Sequence, residues 1–253
     1  MKILICADIH GNLEAFEAVL KAEGTYDTLV VLGDLVGYGG NPNECVRLAQ
    51  HGKNLICVKG NHDAALLGEL NKTWFAKHTT KSLMFTEKES TEDTRNFLKN
   101  LPLTVDFNED ILFCHGSPSH PLTEYLLGDV ETVQTFEKMR SLGKRCCFVG
   151  HSHCAAAFRY NETDGMTEFT PSKDEKFFLG DDLWIFNPGS VGFPRTFNKN
   201  SKGERKEMDI TLEEFPAFYL IFNTDENLVE FKEVRYNAVK TAKKFTSVGT
   251  LWY

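Results

Sequence analysis

The stretch KILICADIHGN, Lys2 to Asn12, joins a short apolar run to the polar cluster Asp8-Ile9-His10. A short apolar run with no polar alternation reads as a strand covered on both faces, here Lys2 to Ala7. A helix follows: Leu13, Phe16, Val19 and Leu20 recur at helical spacing, Glu14 and Glu17 fall between them, and Asn12 stands at the N-cap position. Strand, polar turn and amphipathic helix make the first arm of a βαβ unit. The pattern returns at Thr28 to Leu32, which ends in Gly33-Asp34 and precedes a helix after Asn43. It returns again at Leu55 to Val58, which ends in Gly60-Asn61-His62-Asp63.

Working outward, residues 64–100 read as helical throughout, with Ser90 and Asp93 spaced as a capping box before Phe97 and Leu98. Ile111 to Cys114 is a strand ending in His115-Gly116. Asp129 to Arg140 is a helix with Val133, Phe136 and Met139 on one side, and Cys146 to Val149 is a strand ending in Gly150-His151-Ser152-His153. From Ala155 the runs AAAFRY, DLWIFN, AFYLIFN and NLVEFKEVRY predict mainly antiparallel strands, with a hairpin turn at Thr224 to Asn227. A charged flap, FNKNSKGERKEMDITLEEF at 197–215, interrupts them. No repeat or linker divides the chain, so the expectation is one α/β domain over 1–253, with two packed mixed β-sheets flanked by helices.

A net charge of −8 and a pI near 5.5 argue against a surface that tracks a long nucleic acid, which requires Lys and Arg against phosphates. Apolar residues at 42% and charged residues at 25% are ordinary globular usage. The N-terminal apolar run is interrupted by Asp8 and reads as a strand rather than a signal, and no run reaches the ~18 apolar residues of a membrane span. A cytoplasmic protein is expected. The seven cysteines, Cys6, Cys45, Cys57, Cys114, Cys146, Cys147 and Cys154, form no CxxC pair and read as reduced core thiols. Cys114 and Cys154 adjoin histidines, but strand alternation turns each to the opposite face.

Open α/β sheets place ligands beyond the carboxyl ends of their strands, where these polar clusters fall. Five of the eight histidines lie in them, leaving His51, His78 and His120 elsewhere. Any single cluster is weak evidence, because a strand-end Asp commonly caps a turn; all five in this order are not.

The order D-x-H, G-D, G-N-H-D, isolated His, G-H-x-H resembles that of the calcineurin-like metallophosphoesterase family, in its compact single-domain branch. The resemblance runs from Lys2 to about Gly192 and includes the loop NPGSVG at Asn187 to Gly192. It implies a four-layer α/β/β/α sandwich. It also implies that Asp8, His10 and His153 hold one metal, that Asn61, His115 and His151 hold a second, and that Asp34 bridges them. Carboxylate, imidazole and amide oxygen suit two divalent transition-metal ions, with manganese foremost and iron, zinc or nickel as the others. Two such ions about 3.5–4 Å apart, with a hydroxide between them as nucleophile, outweigh the charge of Asp8 and Asp34 and leave a pocket attractive to phosphate.

In the family the counterpart of His62 binds no metal but protonates the leaving oxygen, with Asp63 orienting its ring; the plainer account is a structural histidine beside the ligands. Arg195 can reach a phosphate with its guanidinium or lie solvated on the surface. Tyr38, in GYGG, lines the pocket or serves only its loop. Trp74, Phe75 and His78 could cap the site, although core packing at helical spacing is the simpler account. The expected activity is hydrolysis of a small-molecule phosphodiester or phosphomonoester. A protein serine/threonine phosphatase, a dinucleoside polyphosphate hydrolase, and a non-catalytic scaffold such as the retromer subunit resembling this family are the alternatives.

Overall fold

The computed structural model describes residues 1–128, 130–195, 197–199, 205–207 and 215–249. In chain order come β1 (Lys2–Cys6), α1 (Leu13–Glu23), β2 (Thr28–Val31), α2 (Pro42–Gln50), β3 (Ile56–Cys57) and α3 (Asn61–Leu66). A 3-10 turn (Lys72–Trp74), α4 (Lys77–Glu89) and α5 (Glu92–Lys99) form the helical excursion. There follow β4 (Thr104–Asp106), β5 (Ile111–Cys114), α6 (Val130–Ser141), β6 (Cys146–Phe148), β7 (Ala155–Asn161), β8 (Gly165–Phe169), β9 (Lys176–Phe178) and β10 (Leu183–Pro188). The last elements are β11 (Phe197–Lys199), β12 (Arg205–Glu207), β13 (Pro216–Asn223), β14 (Leu228–Arg235) and α7 (Ala238–Ser247).

Two six-stranded mixed sheets result, in the orders β3-β2-β1-β13-β14-β9 and β4-β5-β6-β10-β7-β8. β1, β2 and β3 run parallel, as do β5, β6 and β10; α1, α2 and α6 supply the crossovers from β1 to β2, β2 to β3 and β5 to β6, while β6 reaches β10 through strands β7 to β9. The later strands pair mainly antiparallel, the exception being β10 against β6. The turn at residues 224–227 closes the β13–β14 hairpin, with Asn223 opposite Leu228.

The alternation of β1 explains its unbroken apolar sequence. Ile3 and Ile5 face inward to Phe113, Phe148, Trp184 and Phe186 of the second sheet, while Leu4 and Cys6 face outward to Phe16, Val19 and Val46 of the helices. Between the sheets Phe148 meets Phe222 across the interface at 5.5 Å and Phe186 beside it at 5.6 Å, pairs worth about 0.5–1.5 kcal/mol each beyond their burial. On the far side, Leu112, Cys147 and Ile185 pack under Phe136 and Met139 of α6. The layers are therefore helix, sheet, sheet, helix.

Several boundaries differ from expectation for identifiable reasons. α2 starts at Pro42, one residue before Asn43, because proline at the first helical position forfeits no hydrogen bond. The stretch 64–100 is not helical throughout but divides into the end of α3, the 3-10 turn, α4 and α5. Thr91, not Ser90, caps α5: its hydroxyl accepts from Thr94 N at 3.3 Å, while the Ser90 hydroxyl donates back to Thr86 O. Asp129, expected to begin α6, lies outside the described residues. Of the flap at 197–215, β11 and β12 pair antiparallel, with Phe197 opposite Glu207. The rest of it, apart from Phe215, is outside the described residues.

All seven cysteines are free and buried. Cys114 lies in the outer core, its sulfur 3.8 Å from that of Cys147. Among the described residues no helix is long and apolar enough to cross a membrane.

Candidate metal centre

Parallel strands end together, so the loops after β1, β2 and β3 meet those after β5 and β6 at one end of the sandwich. Main-chain bonds lace them: Asp8 N to Gly33 O (3.2 Å), His10 N to Asp34 O (2.9 Å) and Gly150 N to His115 O (2.8 Å). The two sheets are joined there by His151 N, which donates to Asp8 Oδ2 at 3.0 Å.

Asp8, His10, Asp34 and His153 form one group of converging ligand atoms, and Asp34, His115 and His151 form another, each within 4.8 Å. Asp34 Oδ2 belongs between them, 3.6 Å from His10 Nε2 and 3.5 Å from His115 Nε2. Asn61 Oδ1 joins the second group, 2.8 Å from His115 Nε2. All seven expected ligands are thus brought together, and no thiol is among them.

The hydrogen-bond pattern tests whether cations fit. The Nδ1–H groups of His10, His115 and His153 donate to the carbonyls of Val36 (3.1 Å), Leu32 (2.7 Å) and Phe193 (2.7 Å). That assigns the bare lone pair of each ring to Nε2. Yet His10 Nε2 and His153 Nε2 are 2.9 Å apart, and His115 Nε2 faces the Asn61 carbonyl oxygen, so acceptor meets acceptor. Asp8 Oδ1 and Asp34 Oδ2 are buried without a partner, and His151 turns Nδ1 toward His115 Nε2 at 3.2 Å. Buried acceptors of this kind are costly unless a cation satisfies them, and the residues present fit two. Burial keeps the rings neutral, pushing His115 down to about 4 and His10, His151 and His153 well below the usual imidazole range. Burial also raises the Asp8 and Asp34 carboxyls, the direction nearby cations would reverse.

The backbone bears the cost of this convergence. Asp8 (φ 53°), His10 (50°), Asp34 (52°), His151 (66°) and His153 (62°) all adopt left-handed conformations. No residue pattern in the sequence announced this strain.

His62 sits beside the cluster, its Nε2 4.0 Å from Asp34 Oδ2 and its Nδ1 without a partner. Its ring is held edge-on to His10 at 4.6 Å and to Phe75 at 5.0 Å. Asp63 does not orient that ring. Its carboxylate accepts from the main-chain amides of Asp34, Leu35, Val36 and Gly60, so it braces the Asp34 loop instead. Consecutive residues of α3 point in different directions, which is why adjacency in sequence misled. Burial pushes this carboxyl up to about 6 even against those four amides.

Tyr38 is buried, stacked on Phe193 at 4.6 Å and edge-on to His10 at 4.6 Å, so it does line the site. Arg195 is brought near, its amide donating to His153 O at 3.0 Å and its guanidinium helping to lower the His153 ring after burial. Trp74 is 46% exposed, so core packing does not describe it. Among the described residues no hydrogen bond or ring contact ties His78 to the site.

The NPGSVG loop has a larger part than its sequence conveyed. Ser190 Oγ donates to Asp8 O (2.7 Å), Asn187 Nδ2 to Gly150 O (2.6 Å), and the loop continues to the Phe193 carbonyl that holds His153. Phe193 in turn stacks on Phe245 of α7 at 5.9 Å. Tyr125, which sequence reasoning passed over because no motif surrounds it, stacks on the His151 ring at 3.8 Å.

Paired carboxylate–histidine groups sharing one aspartate at the strand ends of a double-sheet sandwich define a metallophosphoesterase. The chain belongs to the calcineurin-like phosphoesterase family, whose model matches residues 1–187. It is 34% identical over 252 residues to an uncharacterized protein of Methanocaldococcus jannaschii, covering 96% of this chain and 90% of that one. The solved metallophosphoesterase of Sphaerobacter thermophilus is similar with a TM-score of 0.82 and 31% identity, over 99% of this chain and 95% of that one. A symmetrical bis(5'-nucleosyl)-tetraphosphatase of Glaesserella parasuis is 30% identical over 131 residues, which are 50% of this chain and 43% of that one.

Proposed function

We propose that this chain hydrolyses a phosphodiester or phosphomonoester of a small molecule, using two divalent ions of which manganese is the first choice. Asp8, His10 and His153 would hold one ion, Asn61, His115 and His151 the other, and Asp34 both. The observation that carries the reading is the set of bare acceptors facing each other, above all His10 Nε2 and His153 Nε2 at 2.9 Å. Two ions in such a site acidify water and neutralise charge on a transferring phosphoryl group.

The chain's own residues take the remaining roles. His62, beside the cluster but outside the ligand set, would as imidazolium be the proton donor to the leaving oxygen. Arg195 supplies a guanidinium to the phosphate, Tyr38 walls the pocket, and Asp63 fixes the main chain that carries Asp34. The free buried thiols fit a reducing compartment, and we place the protein in the cytoplasm.

The match to bis(5'-nucleosyl)-tetraphosphatases favours a second reading, a dinucleoside polyphosphate as substrate. One experiment addresses both. The protein is stripped with a chelator, reloaded with manganese, iron, zinc or nickel, and assayed on phosphate monoesters, phosphodiesters, diadenosine tetraphosphate and phosphopeptides. Activity absent after stripping and restored by a transition metal is the expected result. Full activity without metal, or none on any ester with metal bound, would overturn the reading.

A further inference from the structure

Two large aromatic side chains stand partly exposed beside the buried metal cluster: Trp74 at 46% and Tyr125 at 42%. They come from separate segments, the 3-10 turn after α3 and the loop after β5. Their rings are nevertheless near parallel to the same imidazole, that of His151, with Trp74 inclined 13° at 6.3 Å and Tyr125 inclined 20° at 3.8 Å. Phe75 props this arrangement, edge-on to Trp74 at 5.3 Å and to His62 at 5.0 Å.

Scattered exposed aromatics need no explanation, but these two are neither scattered nor randomly turned. Aromatic faces in roughly parallel planes, open to solvent and beside a centre for phosphate, are the arrangement on which planar bases stack. An aliphatic substituent would gain little from the common orientation. His151 is itself one of the converging ligands, so both rings stand directly beside the place a bound phosphate would take.

We propose that Trp74 and Tyr125 form a stacking platform for a planar aromatic substituent of the phosphate ester, a nucleobase being the class that fits. The proposal rests on the phosphate-ester reading above and narrows it to nucleotide-like substrates.

The test measures binding separately from turnover. Metal-loaded protein is titrated with analogues of adenosine monophosphate and of ribose 5-phosphate in which a methylene group replaces the bridging ester oxygen, leaving a carbon–phosphorus bond that is not hydrolysed. The two differ only in the base. The adenosine analogue should bind about tenfold more tightly or better and quench tryptophan fluorescence, as base–aromatic stacking predicts. Trp74→Leu should abolish the difference, Trp74→Phe should keep most of it, and Tyr125→Leu should reduce it. Equal affinity of the two probes in the unaltered protein, failure to bind either, or a preference undiminished in Trp74→Leu would overturn the platform. Base-dependent binding in a protein that turns over no ester would sustain the platform and sink the hydrolytic reading, so the two failures are distinguishable.

Discussion

Gly60 offers the sharpest test of how closely the centre is packed. It precedes α3, and a methyl group built on it would lie 2.7 Å from Asp34 Cγ and nearer still to Asp34 Oδ1 and N. Ordinary contact begins at 3.4 Å, so Gly60→Ala demands roughly 0.7 Å or more of movement in a region packed at crystal-like density. Neither side yields easily. Asp34 Oδ1 accepts from His62 N at 2.8 Å, and Asp63 Oδ2 ties Gly60 N and Asp34 N together, each at 2.9 Å. Overpacking of this kind costs ~1–3 kcal/mol, and a shift near 1 Å in a positioned group costs about 10²-fold in rate. Gly60→Ala is therefore expected to fold with reduced stability, bind metal substoichiometrically and lose about two orders of magnitude in kcat. Denaturant titration, elemental analysis and ester turnover on the same preparation measure all three. A variant with normal metal content and turnover would show that Asp34 is not held where the shared-ligand argument needs it.

Asp34→Asn should release more than one ion per chain, because its Oδ2 faces both histidine groups; retention of two ions with normal turnover would contradict the bridge. His62→Asn should keep both ions yet slow alkyl esters by ~10²–10⁴-fold, the range for a general acid, while nitrophenyl esters suffer less. Equal losses on both esters would assign His62 to binding or charge stabilisation, and loss of an ion would make it a ligand. Phe245→Ala removes a fully buried ring and should cost about 3–5 kcal/mol in denaturant, with turnover falling because Phe193 and hence His153 lose support. Phe245→Leu should recover much of both, and normal turnover in Phe245→Ala would detach α7 from the site.

What could be read in advance follows from how parallel strands work. They are covered on both faces and carry polar residues only where they end, so Asp8, Asp34, Asn61, His115 and His151 were visible as interruptions at the ends of apolar runs. The sandwich followed from the same runs and the switch to antiparallel pairing after Ala155. Less legible were contacts between distant segments. Tyr125 and Ser190 reach the site through the fold and stand in no pattern of their own. α7 lies beyond the 187 residues of the family match, yet it supports His153 through Phe193 and helps seat α1, where Thr241 donates to the Asn12 capping oxygen at 3.1 Å. Ser90 and Thr91 are both good caps, and local sequence alone did not choose between them.

The left-handed ligands create a conflict between durability and use. Each of Asp8, His10, Asp34, His151 and His153 carries a side chain where glycine would sit without penalty, at about 1–3 kcal/mol apiece. Selection for thermal resistance alone, in protein free of metal, would therefore remove first the residues on which the chemistry depends. Glycine at His10 or His153 would relieve backbone strain and the unfavourable pairing of their lone pairs in one change. An evolutionary screen that rewarded folding without turnover should drift toward an inert sandwich with emptied loops, and the route back would require each strained side chain to be regained while still useless by itself.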